Sequence, residues 1–325
     1  EFTQGWHERN GATLSEHFFA RSEMIYPLAS TFAPLVNLMN RTGLAKETFK
    51  ALFKIHPARN LPEFASKPFH TWFREQPIRN PGAKTVLIMV DNFMNYNDPH
   101  VGIAMVEVLQ ALGYRVLATK PLKSGRTHLS KGFVKDAKSI AKQNINELVP
   151  YVKDGIPVIG QEPSEILTLR DEYLDLCDSN ELESAKLLAE NSFMFEEFLV
   201  QHFEMHPEHK ELFIGRGKEI LVHGHCHAKA LVGMKPVLDT LKSVGFTPID
   251  LKTGCCGMAG SFGYEEDHYE VSLNVGEQTL FPKLRAAEDD VLICAHGFSC
   301  RHQISDGVDK KAHHTAVILR DHLKY

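Results

Sequence analysis

Cysteines are the residues of this sequence whose placement most clearly suggests chemistry. The chain has 6 cysteines, too few and too unevenly placed for a secreted disulfide framework, and most of them lie in its last third. They therefore indicate a localised site in a reducing compartment. Thiolates that meet at one point suit zinc, copper(I) or an iron–sulfur cluster. The candidate ligands are Cys226, Cys255, Cys256 and Cys300.

The adjacent pair Cys255-Cys256 favours a cluster over a single ion. Neighbouring side chains on extended backbone diverge, so both thiols cannot easily bind one tetrahedral zinc ion, whereas a cluster offers several metal atoms. Gly254 and Gly257 flank the pair. Glycine lets the backbone approach sulfide closely and donate N–H groups to it. Zinc stays open as the alternative metal.

Several neighbouring residues could support the ligands. His225 and His227 alternate with Cys226, and on an extended segment this alternation would place both rings on the face opposite the thiol. We expect structural roles for them, with metal ligation and hydrogen bonding to the thiolate sulfur as the alternatives. Cys294 is either a fifth ligand or a buried strand cysteine, and Cys177 is expected to be a free thiol.

The elements that must position these thiols are predicted strands. Residues 219–222 and 291–293 are short apolar runs that precede Cys226 and Cys300, and the vicinal pair also follows a predicted strand. Ligands of open α/β sheets gather at the carboxyl ends of parallel strands. We therefore expect the four thiols to converge.

The strand and helix pattern occurs twice. Residues 85–90, 115–118 and 156–160 are predicted strands, separated by helical patterns at 101–112 and about 134–151. The same order recurs in the second half of the chain, which indicates an internal repeat. The fold class is therefore α/β, with two similar lobes built on parallel sheets and an N-terminal helical arm.

This pattern predicts four segments. Prolines break the helical pattern of the first segment, and the third is helical and charged with its clearest amphipathic stretch at 181–203. The segments are a helical arm (1–83), a first lobe (84–173), a helical linker (174–217) and a second lobe with the metal site (218–325).

The first lobe lacks the cysteines of the second. When the two lobes are aligned, Asn92 faces Cys226, Lys123-Ser124 faces the vicinal pair, and Glu165 faces Cys300. We expect no cluster in the first lobe.

Bulk composition excludes several classes of function. The net charge is -5 and the basic residues are scattered, which gives no field for nucleic acid. No apolar run reaches the roughly 18 residues of a membrane span, and no leader pattern opens the chain. We expect a cytoplasmic protein, or one held peripherally at the inner face of the membrane.

The chain begins Glu1-Phe2 without an initiator methionine, and we expect it to be a fragment of a longer polypeptide.

Three motifs carry a family resemblance. They are HGHCHAKAL (223–231), GCCGMAGSFGYEEDHYE (254–270) and GFSCRHQI (297–304). Together they resemble the cysteine-rich CCG domain of heterodisulfide reductases and of the iron–sulfur parts of glycolate, lactate and glycerol-3-phosphate oxidoreductases. The likeness extends from about residue 10 to the end, and it is strongest to the C-terminal part of long proteins in which an FAD-linked D-2-hydroxyacid dehydrogenase domain and a ferredoxin-like segment come first.

The resemblance implies an iron–sulfur electron-transfer module of an FAD-dependent 2-hydroxyacid oxidoreductase of the glycolate, lactate or 2-hydroxyglutarate type. It implies a cluster of the 4Fe-4S type on the four cysteines and electron flow from flavin to an acceptor. No flavin or nicotinamide motif is legible here, so FAD is expected on a preceding portion or a partner, beside a ferredoxin-like domain. No residue of this chain is predicted to be catalytic. Two alternatives stay open: a zinc-stabilised docking module, and a thiol–disulfide reductase site at Cys255-Cys256.

Overall fold

The computed structural model describes residues 1–324, and its framework is two four-stranded parallel sheets. The strands are β1 (Thr85–Ile88), β2 (Arg115–Ala118), β3 (Val158–Gly160), β4 (Ser192–Met194), β5 (Glu219–His223), β6 (Thr247–Asp250), β7 (Leu292–Ala295) and β8 (Ala312–His313). The strand orders are β2-β1-β3-β4 and β6-β5-β7-β8, so one topology occurs twice. The predicted α/β class with two similar lobes is confirmed.

The arm is helical, as predicted. Its helices are α1 (Phe2–Asn10), α2 (Leu14–Ala20), α3 (Ser22–Thr31), α4 (Ala33–Arg41), α5 (Gly43–Leu52) and α6 (Phe69–Arg74). Helix α2 begins with a capping box in which Thr13 and Glu16 satisfy each other's backbone N–H groups. These helices pack as a layer on the lobes and form no sheet.

Helices cover the faces of both sheets, because strands that are apolar on both sides must be buried on both sides. In the first half they are α7 (Asn92–Tyr96), α8 (Pro99–Ala111), α9 (Arg126–Ser130), α10 (Val134–Lys153), α11 (Pro163–Ile166), α12 (Glu172–Leu176), α13 (Leu182–Glu190) and α14 (Phe195–Met205). In the second half they are α15 (Cys226–Leu231), α16 (Lys235–Ser243), α17 (Tyr269–Arg285), α18 (Phe298–Val308) and α19 (Thr315–Asp321). Short 3-10 helices span Leu167–Leu169, Pro207–Leu212, Phe262–Tyr264 and Glu266–His268.

The segment expected to be a purely helical linker contains strand β4. This strand pairs in parallel with β3 and interrupts the amphipathic stretch between α13 and α14. Ser192 and Met194 are buried, and the Ser192 hydroxyl donates to the Leu188 carbonyl. The helical prediction was wrong here because pairing with a buried sheet edge decides the conformation of three residues. The division into 1–83, 84–173, 174–217 and 218–325 stays a prediction.

The two lobes share a continuous apolar core. It contains Ile88 and Val101 from the first lobe together with Ile220 and Ile318 from the second. Helix α8 packs against α19 across this junction. No helix within residues 1–324 combines the length and apolar character needed to cross a membrane.

Candidate metal centre

The candidate thiols lie just beyond the carboxyl ends of three neighbouring strands. Strand β5 leads into α15, which begins at Cys226, and β7 leads into α18, which carries Cys300. The pair Cys255-Cys256 lies in the loop after β6. Because β6, β5 and β7 are adjacent and parallel, these segments meet at one edge of the sheet.

The structure brings the four predicted cysteines together. The side chains of Cys226 and Cys255 interact, Cys255 interacts with Cys256, and Cys256 interacts with Cys300. Cys256 and Cys300 are buried, whereas Cys226 and Cys255 are partly exposed. The thiols therefore form one continuous group with its outer side towards the surface.

His223 completes this group, although the sequence did not predict a site role for it. One ring nitrogen of His223, the sulfur of Cys256 and the sulfur of Cys300 all lie within 4.8 Å of one another. Nδ1 is 2.6 Å from the Thr253 hydroxyl, whereas the buried Nε2 has no hydrogen-bond partner. The sequence feature that could have indicated this role is the position of His223 at the carboxyl end of β5, the strand that precedes Cys226.

Shared hydrogen bonds polarise the four thiols. Bonds from Cys226 and Cys256 hold the pKa of Cys255 well below its usual value, and a bond from Cys256 does the same for Cys300. Cys226 and Cys256 donate these hydrogen bonds, and the same bonds raise the pKa values of these two thiols. Two of the four sulfurs thus favour the thiolate form, which is the form that binds metals.

Gly257 allows the vicinal pair to turn sharply. Its φ is +100°, and a Cβ there would lie 2.1 Å from the Ser272 carbonyl oxygen. The Gly257 N–H donates to Cys255 Sγ at 3.3 Å, as the flanking glycines suggested. Lys229 holds the preceding backbone by donating to the carbonyls of Thr253 and Gly254 at 2.8 and 2.7 Å.

A residue of the helical arm, more than 200 positions away in the sequence, hydrogen-bonds to residues that surround this loop. Arg59 is fully buried, and its guanidinium donates to the Gly263 carbonyl, Ser272 Oγ and Gln303 Oε1 at 2.6, 2.8 and 2.7 Å. Gln303 in turn donates to the Cys256 carbonyl at 2.9 Å. A single side chain of the arm therefore fixes the position of the vicinal cysteines.

The alternation in the sequence suggested that His225 and His227 share one extended segment, but only His225 has extended backbone, and His227 lies in helix α15. His225 caps α15, and its Nδ1 accepts from the His227 N–H at 3.2 Å. A Cβ at Gly297 would contact both the His225 ring and Cys300 Sγ, so His225 lies beside the thiol group. Its Nε2 is 3.7 Å from Glu162 of the first lobe. The prediction of opposite faces was wrong because Cys226 starts a helix.

Cys294 and Cys177 are not part of the thiol group. Cys294 is buried in β7, where its sulfur lies 3.4 Å from Thr315 Oγ1 and burial raises its pKa to about 12. Cys177 lies near the Leu174 carbonyl, which its sulfur contacts at 3.5 Å. Both side chains point into other parts of the fold.

The corresponding edge of the first lobe holds oxygen and nitrogen groups. Asn92 begins α7 after β1, Ser124 follows β2, and Glu165 lies on α11 after β3. Glu23 of the arm is buried beside them, and burial raises the pKa values of both Glu23 and Glu165. This edge offers no thiolate.

The donor set of the second lobe fits a soft or borderline metal. It consists of four thiols and a buried imidazole nitrogen that has no other partner. Thiolate ligands suit iron–sulfur clusters and zinc. The four cysteines would hold either group, and His223 Nε2 is a further donor at the same place.

No model of a known protein family matches this sequence. The chain is 24% identical over 320 residues to one of the subunits of the anaerobic glycerol-3-phosphate dehydrogenase of Escherichia coli, covering 94% of this chain and 76% of the relative. It is 25% identical over 324 residues to the D-2-hydroxyglutarate dehydrogenase of Pantoea ananatis, covering 93% of this chain but 30% of that protein. It is 27% identical over 220 residues to lactate utilization protein A of Bacillus subtilis, covering 65% of this chain and 84% of the relative.

The names of these relatives agree with the family resemblance that the three cysteine motifs indicated. The chain is a homologue of these proteins, two of which are dehydrogenases, and it is a subunit or part of an oxidoreductase.

Proposed function

We propose that this chain is the iron–sulfur electron-transfer module of an FAD-dependent 2-hydroxyacid oxidoreductase. Cys226, Cys255, Cys256 and Cys300 would bind the cluster, of the 4Fe-4S type, and electrons would pass from flavin to an acceptor. The convergence of four thiols from three strand ends is the observation that carries this proposal. The names of two relatives, D-2-hydroxyglutarate dehydrogenase and lactate utilization protein A, support a 2-hydroxyacid as the substrate of the whole enzyme.

Such a cluster, when bound, takes up and releases single electrons. The chain's own residues would set how readily this happens. Cys256 and Cys300 are 3% and 2% exposed, so water has little access to that side of the site. The Gly257 N–H and the start of α18 direct positive charge towards the sulfurs, which favours the thiolate form.

The arm offers a surface on which a flavin-containing partner would dock. Large apolar side chains of α1 to α5, and of Phe32 between α3 and α4, are exposed, which is unusual for a segment in water. They are Phe2, Trp6, Leu14, Met24, Ile25, Leu28, Phe32, Leu35, Leu38, Met39, Leu44 and Leu52. The same arm also contacts Gln303, which donates to the Cys256 carbonyl, through Arg59. We propose flavin-binding and ferredoxin-like domains of the same polypeptide or complex as the occupants.

The proposal is tested by purifying the protein without oxygen and measuring iron, acid-labile sulfide and the electron paramagnetic resonance of the reduced form. Cys256→Ser should remove iron and sulfide, because a buried ligand is lost. Cys177→Ser is the matched control and should keep both, since Cys177 lies outside the thiol group. Equal iron and sulfide in the two variants would contradict the assignment.

A zinc-stabilised docking module is the second candidate function. It is favoured by the compact set of His223, Cys256 and Cys300, whose ligand atoms lie within the mutual distances of a single-ion site. One equivalent of zinc, with no iron in anaerobic protein and no visible absorption, would select this candidate. Loss of that zinc in His223→Ala would identify the imidazole as its ligand.

A further inference from the structure

The first lobe has no cysteine at its sheet edge, yet one of its side chains reaches the candidate metal centre of the second lobe. Glu162 lies in the turn between β3 and α11, at the carboxyl end of the first sheet. The residue is 2% exposed. Acidic side chains are rarely buried to this extent unless they have specific partners, so the contacts of this carboxyl group indicate its role.

One carboxyl oxygen of Glu162 caps the helix that carries Cys300. The first N–H groups of a helix have no acceptor within it, and the side chain of the residue before the helix often supplies one. Helix α18 follows Gly297, which has no side chain for this purpose. Glu162 Oε2 accepts instead from the Phe298 N–H, at 2.7 Å. Cys300 lies in the same first turn of α18, so the first lobe holds the turn from which this thiol projects.

The other carboxyl oxygen lies beside the start of the helix that carries Cys226. His225 caps α15, and its Nε2 is 3.7 Å from Glu162 Oε1. The Ser164 hydroxyl donates to the same oxygen at 3.0 Å, which orients the carboxyl group. One carboxyl group therefore lies against the starts of both helices that carry a thiol.

These two helix starts are packed so closely that neither can shift alone. A Cβ at Gly297 would lie 2.4 Å from His225 Cδ2 and 3.2 Å from Cys300 Sγ. Close-packed groups transmit small displacements to their neighbours. A shift of the backbone at the start of α18 would therefore displace the His225 ring and the Cys300 sulfur.

We propose that Glu162 is a positioning residue of the metal centre, which holds the starts of α15 and α18 so that Cys226 and Cys300 meet the vicinal pair. This role rests on the proposed function, namely on a metal bound by the four thiols. The carboxyl group acts through its hydrogen bonds, because burial raises the pKa of Glu162 to about 8 and leaves most of it uncharged at pH 7. Glutamine has the same shape and keeps an acceptor oxygen, so it can take the place of Glu162.

The test is titration of the reduced, metal-free chain with Co²⁺, followed by the near-ultraviolet charge-transfer absorption of thiolate-bound cobalt. Glu162→Ala removes the acceptor of the Phe298 N–H. It should weaken Co²⁺ binding about 10- to 100-fold, as loss of a group that orients metal ligands does. Glu162→Gln should bind Co²⁺ as the wild type does, and this rescue identifies the hydrogen bond as the cause.

Glu197→Ala is the matched control on the same half of the chain. Its carboxylate likewise accepts a backbone N–H at the start of a helix, from Met194 at 3.0 Å, but this helix, α14, carries no thiol. Glu197→Ala should lose stability in urea unfolding and keep the wild-type affinity for Co²⁺.

Equal Co²⁺ affinity in the wild type and Glu162→Ala would overturn the role of Glu162 and leave the metal centre in place. Weak binding in Glu162→Gln as well would overturn the hydrogen-bond role. Where circular dichroism shows that Glu162→Ala does not fold, Glu162→Asp decides in its place, because its side chain is one methylene shorter and should bind Co²⁺ as weakly. Wild-type protein that binds neither iron nor thiolate-bound Co²⁺ would overturn the proposed function itself, and the role of Glu162 with it.

Discussion

Replacing Arg59 by methionine should lower the stability of the protein and the metal content of the cysteine site, although Arg59 does not itself contact the cysteines. The methionine keeps part of the side-chain volume but leaves the Gly263 carbonyl, Ser272 Oγ and Gln303 Oε1 without their charged donor. Arg59 Nη1 also lies 3.4 Å from Asp306, whose side chain is 13% exposed. Each hydrogen bond from a charged donor contributes about 1.5–3 kcal/mol, and removal of one member of a buried ion pair costs about 3–5 kcal/mol.

These contributions overlap, because the same guanidinium makes all of the contacts. We therefore expect Arg59→Met to lower the free energy of unfolding by about 3–5 kcal/mol. Gln303 would lose the partner that orients it towards the Cys256 carbonyl, so metal loading should fall as well. Arg59→Lys keeps the positive charge but lacks the planar guanidinium with its several N–H donors. We therefore expect its stability to lie between those of Arg59→Met and the wild type.

Urea unfolding followed by circular dichroism measures the first effect, and metal content per chain measures the second. Arg41→Met is the matched control on the same arm, because Arg41 is 68% exposed and pairs only with Glu63 at the surface. Its cost should stay below about 1 kcal/mol. If Arg59→Met and Arg41→Met had equal stability and equal metal content, the brace would have no such role.

Three further predictions concern the loop, the helical arm and β7. Gly257→Ala should abolish metal loading, because its Cβ would overlap the Ser272 carbonyl, whereas Gly254→Ala, with no atom within 4 Å of the added Cβ, should load normally; metal analysis of the pair decides. Burial raises the pKa of Glu23 from 4.5 to about 7, so its ionisation destabilises the fold as pH rises through this interval. Glu23→Gln should therefore gain stability relative to the wild type between about pH 4 and pH 8, by up to about 3 kcal/mol, and a pH-independent difference in urea midpoint would refute this. Cys294→Ala should keep its metal, because the Cys294 sulfur faces Thr315; loss of iron from a folded variant would make Cys294 a ligand.

The repeated α/β pattern could be predicted because short apolar runs that alternate with helical periodicity carry a strong signal. The convergence of the thiols followed from the rule that parallel strands end at the same edge, and it needed no side-chain detail. Strand β4 was missed because three residues hold no periodic pattern, and their conformation depends on pairing with β3.

The conformation around Cys226 and the role of Arg59 depend on tertiary contacts, which could not be predicted from one sequence. The alternation of His225 and His227 with Cys226 indicated an extended segment, yet β5 ends at His223 and α15 starts at Cys226. As the residue that caps this helix, His225 lies beside the thiol group. Arg59 had no motif of its own, and its role becomes visible only when residues more than 200 positions apart come into contact.

The brace between Arg59 and Gln303 also orders events during synthesis. Arg59 leaves the ribosome long before Gly263 and Gln303, and its buried partners do not exist until residue 303 has emerged. The loop of the vicinal cysteines can therefore close only after residue 303 has been synthesised. We expect a metal to bind only after this step, and a polypeptide that stops short of residue 303 to lack a closed pocket for it.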